Sequence, residues 1–114
     1  MQRDAASLLD ILTAARLARD FVTDSSKELF LDDVKSQAAV TREIEVIGEA
    51  TKRISAEFKA SHQEIPWRKM AGMRDVLIHA YDKVDVDELW QAVESSIPEL
   101  ILLIEPLVPR EGAT

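Results

Sequence analysis

The sequence predicts an all-α protein, an up-and-down bundle of four main helices forming one domain over residues 1–114. Three observations carry this expectation. Apolar residues recur three and four apart through every long segment, the spacing of one helix face. Only three glycines and four prolines stand against 46% hydrophobic and 31% charged residues, a balance suited to helices with one buried side and one wet side. No segment has the character of an ordinary strand, and there is no internal repeat or low-complexity stretch.

In the first segment, Ala5 to Val22, the residues Leu8, Ile11, Leu12, Ala15, Ala18 and Val22 mark one face of a helix of about five turns. Thr23 to Ser26 reads as a turn that supplies N-cap candidates. Lys27 to Asp33 then forms a short helical turn anchored by Leu29, Phe30 and Leu31. A long second helix is expected from Val34 to Phe58, with Val40, Ile44, Ile47, Ile54 and Phe58 near one stripe. Arg42, Glu43, Glu45, Glu49, Lys52 and Arg53 read as its solvated side. Gly48, in mid-helix, costs roughly 1 kcal/mol relative to alanine, so its expected purpose is the close approach of another helix or of a neighbouring subunit.

Ser61 to Ile65 reads as a loop, and Pro66 suits the first position of a third helix running to Ala80, with Trp67 covering the end of the core. Tyr81 to Val86 is a connection in which Asp85 or Asp87 can cap the last helix. That helix carries Leu89, Trp90, Val93, Ile97, Leu100, Ile101, Ile104 and Leu107, and Pro98 should kink or divide it. The core is expected within residues 5–107, with 108–114 a fraying tail.

Composition excludes several functions. With no cysteine there is no disulfide, thiolate metal site or cysteine nucleophile. Charges within MQRDAASLLD argue against a secretion signal. The apolar run Leu100 to Ile104 is far too short to span a bilayer, so a cytoplasmic protein without membrane contact is expected. The net charge of −7 disfavours broad non-specific binding to nucleic acid, and any RNA contact needs a local basic cleft or a dimer that gathers positive groups.

Chemistry concentrates in Arg74-Asp75-Val76-Leu77-Ile78-His79-Ala80-Tyr81, which holds one of the two histidines and the only tyrosine. On a continuous helix Arg74 and Tyr81 lie about 20° apart, and Asp75 is placed to contact His79 four residues on. Each group has a plain reading: His79 as an imidazole favoured at a helix C-terminus, Arg74 and Asp75 as surface charge, Tyr81 as a packed ring. One carboxylate and one imidazole are too few ligands for a metal site. Phosphate chemistry fits better. Arginine offers a fixed cationic fork to phosphoryl oxygens, and histidine moves a proton near neutral pH. Cleavage of RNA by its own 2′-hydroxyl needs a base, an acid and a cation, but no metal or other cofactor. One chain supplies one histidine here, and a two-fold dimer supplies two.

The pattern Arg-x4-His-x-Tyr, formed by Arg74, His79 and Tyr81, resembles the signature of the HepT-like branch of the HEPN (higher eukaryotes and prokaryotes nucleotide-binding) domains. Its surroundings resemble that family too: Ile65-Pro66-Trp67-Arg68 with Ala71-Gly72-Met73, the upstream stretch from Ala39 to Ala50, and Trp90 followed by Pro98-Glu99-Leu100. The likeness covers about residues 5 to 107. It implies a HEPN-like homodimer whose two motifs face one cleft, and a toxin-type ribonuclease paired with a nucleotidyltransferase antitoxin. By the same resemblance Arg74 and His79 are catalytic, Asp75 fills the supporting polar position, and Tyr81 receives AMP that silences the toxin. The alternative is a non-enzymatic module in which the motif binds nucleotide or the partner transferase. A purely structural bundle is a third reading. Cleavage assays on the unmodified dimer separate the first two.

Overall fold

The computed structural model describes residues 2–79 and 83–109, with residues 2, 76–79, 83 and 84 described by their backbone alone. The helices form a slab whose thinnest Cα dimension is 19 Å, about two helices deep. Helix α1 (Gln2–Phe21) and helix α3 (Val34–Arg53) pack along each other at its centre. Leu8, Ile11, Ala15 and Ala18 of α1 meet the fully buried Val40, Ile44 and Ile47 of α3 in one core, the two stripes expected from the sequence.

Between them, α2 (Lys27–Leu31) is capped by Ser26, whose hydroxyl accepts from the Leu29 N–H at 3.2 Å. Phe30 is fully buried and its ring centroid lies 5.2 Å from that of Trp90. Leu29 and Leu31 are not anchors as expected: they are exposed, because a helix of this length turns one side inward. Asp33 caps α3 by accepting from the Ser36 N–H at 3.1 Å.

The long helix expected to reach Phe58 stops at Arg53. Ile54 is extended, and Ser55 caps a separate helix α4 (Ala56–Ser61) by accepting from the Phe58 N–H at 3.1 Å. The cause is a long-range partner. Asp4, buried in the first turn of α1, accepts the Ser55 N–H at 2.8 Å and the Ser55 hydroxyl at 2.7 Å. The N–H that would have continued the α3 ladder is thereby taken. These two bonds hold the Asp4 carboxyl below the usual carboxylate range, against the opposing effect of burial.

The third expected helix, Pro66 to Ala80, is also divided. Pro66 is the cap of α5 (Trp67–Ala71) rather than its first residue, the chain turns at Gly72, and α6 covers only Met73–Leu77. Strand β1 (Ile78–His79) follows and pairs antiparallel with β2 (Lys83–Val84), Ile78 opposite Val84 and His79 opposite Lys83. Val76, Ile78 and Val84 are β-branched, which weakens a helix and favours a ladder. This short ribbon was not expected, yet the class stands, since the described chain is otherwise helical.

In the last segment α7 (Val86–Gln91) is capped by Asp85, which accepts from the Glu88 N–H at 3.1 Å. A π-turn over Ala92–Ser96 leads into α8 (Ile97–Ile104). Pro98 divides the helix as expected. The Ile97 N–H reaches back to the Ala92 carbonyl, and Pro98 has no N–H to give, so the Val93 carbonyl is left over. Arg19 of α1 donates to that carbonyl at 2.9 Å. Glu105–Leu107 adds a 3₁₀ turn, and Glu105 pairs with Arg16. Three of the four expected helices are thus divided. Among the described residues no helix is long and apolar enough to cross a membrane.

Candidate active site

Arg74 is seated by its neighbours in sequence. Met70 and Met73 are buried on the inner side of α5 and α6, which turns Arg74 and Asp75 outward toward α3. Gly48 makes the approach possible. A Cβ placed there would lie 3.3 Å from the Ala71 carbonyl oxygen at the end of α5, so this position has no room to spare for a larger side chain. The sequence offered two reasons for this glycine, and the described contact is with a helix of the same chain.

Across that contact the Arg74 Nε lies 3.5 Å from Glu45 Oε1, and its Nη1 lies 3.9 Å from Asp75 Oδ1. The Arg74 side chain keeps 46% of its surface exposed, so the guanidinium is steered by carboxylates but not covered by them. It lines a groove of about 480 Å³ between α3 and the α5–α6 junction. Arg42, Lys52 and Arg53 of α3 line the same groove with the carboxylates of Glu45, Glu49 and Asp75. Lys52 pairs with Glu49 at 3.7 Å and Arg53 with Asp10 at 3.4 Å, whereas Arg42 has no carboxylate partner among the described residues. The groove can therefore hold an anion, with Arg42 and the open edge of Arg74 as its free donors.

By sequence pattern alone this side of α3 is ordinary solvated surface, which hides Arg42 and Glu45. A signal was present: residues 42, 45, 49 and 52 follow one helical stripe that flanks Gly48. The expected geometry of the motif itself changes. The helix ends at Leu77, so Asp75 and His79 are not successive-turn neighbours, and His79 lies in β1. Asp75 instead sits beside Arg74 with its side chain 81% exposed. The side chain of His79 and the whole of Tyr81 lie outside the described residues, as does the face expected to join Tyr81 to Arg74. His62, the other histidine, is set apart from this groove. Its ring stacks on Phe58 at 4.1 Å, with Nδ1 3.0 Å from the Phe58 carbonyl.

Fold and site together define a helical domain that presents an arginine-bearing groove beside a short Arg-to-His segment. The profile of the family described as ribonuclease HepT-like matches residues 11–107, and the chain belongs to that family. It is 53% identical over 93 residues to a probable ribonuclease HepT of Thermococcus cleftensis, covering 82% of this chain and 84% of that one. A candidate RNase of Methanocaldococcus jannaschii is 39% identical over 103 residues, 90% of this chain and 85% of its own. Another, from Caldanaerobacter subterraneus subsp. tengcongensis, is 36% identical over 101 residues, with 89% and 90% covered. No solved structure matches the chain significantly.

Proposed function

We propose that this protein is a metal-independent endoribonuclease, the toxin of a toxin–antitoxin pair, acting as a cytoplasmic homodimer. The observation that carries the reading is the Arg74 guanidinium, held by Glu45 at the edge of an anion-sized groove five residues before His79, in a chain of the HepT-like ribonuclease family. In the reaction a His79 imidazole takes the proton of a ribose 2′-hydroxyl, and the 2′-oxygen bonds to the adjacent phosphorus. The bond from phosphorus to the 5′-oxygen breaks, and that oxygen receives a proton from the His79 of the second copy. Arg74 stabilises the charge that builds on the phosphoryl oxygens. The products are a 2′,3′-cyclic phosphate and a 5′-hydroxyl. One motif histidine per chain is why the reading needs two copies around one cleft.

Control follows from position. Tyr81 is two residues beyond His79, and transfer of AMP from ATP to its hydroxyl by a nucleotidyltransferase antitoxin releases pyrophosphate and adds a bulky anion beside the cleft. Intact-mass measurement after co-expression with such a transferase tests this: wild type gains AMP mass and stops cutting RNA, and Tyr81→Phe gains none and stays active. A Tyr81→Phe chain that still gains AMP excludes this tyrosine as the sole site.

A further inference from the structure

A chain of net charge −7 repels a phosphate backbone at long range, so a polyanion has to reach Arg74 along a local cationic path. A second groove, of about 640 Å³, lies beside the link between α4 and α5. Its cations are Lys59 of α4 and Arg68 and Lys69 of α5, and among the described residues no carboxylate lines it. Among the described residues none of these three has an ion-pair partner, whereas Lys52 and Arg53 on the first groove both do. Their charge is left unneutralised on an acidic surface.

The floor is apolar and fixed. Ile65 and Trp67 are buried, and the Trp67 indole N–H donates to the His62 carbonyl at 3.0 Å while its ring meets Phe58 edge-on. Pro66 between them is exposed. An apolar ledge ringed by cations suits a strand whose bases are unpaired, since a duplex keeps its base faces stacked inside. The two grooves are lined by neighbouring residues at the end of α5: Gly72 lines this one and Ala71 lines the groove of Arg74.

We infer that this second groove holds the single-stranded RNA flanking the scissile phosphate, with Lys59, Arg68 and Lys69 on successive phosphates and a base resting on the exposed Pro66 ring. The inference rests on the ribonuclease reading and names where its substrate lies. The test is fluorescence anisotropy with a fluorescein-labelled single-stranded oligoadenylate, titrated over a series of KCl concentrations in a His79→Ala background. Adding Lys59→Gln, Arg68→Gln and Lys69→Gln should weaken binding at least about tenfold at low salt. It should also flatten the log–log salt slope by about 2, the loss of three contacts at roughly 0.7 each. Unchanged affinity and slope would overturn the inference. So would a variant that loses self-association in sedimentation, because a second copy would then be the occupant. Arg68→Gln with Lys69→Gln, both at exposed positions, serves if the triple variant unfolds, with a slope change of about 1.4. The two readings fail separately: a histidine-intact protein that binds through these cations but cuts no RNA loses its nuclease assignment and keeps the groove.

Discussion

Substitution at Gly48 links packing to the site. An alanine there recovers about 1 kcal/mol of helix propensity, but its Cβ meets the Ala71 carbonyl oxygen at 3.3 Å, a few tenths of an ångström too close. Ala71 is the last residue of α5 before the turn at Gly72, a point where the backbone can yield by that amount. The two effects nearly cancel, so Gly48→Ala should leave the unfolding free energy from urea titration within about 1 kcal/mol of wild type. Valine adds two further methyl groups against backbone, which no side-chain rotation relieves. Overpacking of that kind costs about 1–3 kcal/mol, and the strain is released by moving α5 and α6 away from α3. Arg74 then leaves Glu45. Gly48→Val should therefore be about 2 kcal/mol less stable than Gly48→Ala and lose RNA cleavage even under conditions where it is fully folded. Equal stability of the two variants, with cleavage intact in both, would refute the idea that this contact sets the site.

Further outcomes follow from single contacts. Glu45→Gln removes an ion pair between half-exposed side chains, so stability should change by less than about 1 kcal/mol, while kcat for RNA cleavage falls roughly tenfold or more because Arg74 is no longer held in place. A fall in KM alone would argue against a positioning role. Arg19→Met strands the Val93 carbonyl at the π-turn and should cost about 1–3 kcal/mol in urea unfolding. Asp4 has a folded pKa lowered from 3.8, so its stabilising effect is complete above that value and is lost as pH falls through the folded one. Wild type should lose stability on going from about pH 5 to about pH 2.5, and Asp4→Asn should lose less over the same range, although Asp33, also lowered, still contributes to the slope.

How much of this was legible in the sequence depends on the range of the forces involved. Helix α1, the caps at Ser26 and Asp85 and the division at Pro98 are set by neighbours within a turn, and the sequence shows them. The break after Arg53 is set by Asp4, which reaches Ser55 from another helix, and helical periodicity alone runs straight through it. The end of α6 depends on pairing with Lys83–Val84, again outside any local window. For the site, Arg74 was evident from the motif. Its partner Glu45 was not, because a carboxylate on a helix surface looks the same whether it faces solvent or a neighbouring arginine. The proposed roles of His79 and Tyr81 rest on the motif and the family, not on described side-chain geometry.

The most direct test of the central claim is cleavage of a defined single-stranded RNA by the purified, unmodified protein in excess EDTA, with the product ends identified by mass spectrometry. The expected result is cutting that leaves 2′,3′-cyclic phosphate and 5′-hydroxyl ends, abolished by His79→Ala in a chain that stays folded and dimeric, and absent where the ribose at the cut site is 2′-deoxy. Wild-type rates from His79→Ala, or cleavage at the 2′-deoxy position, would contradict it.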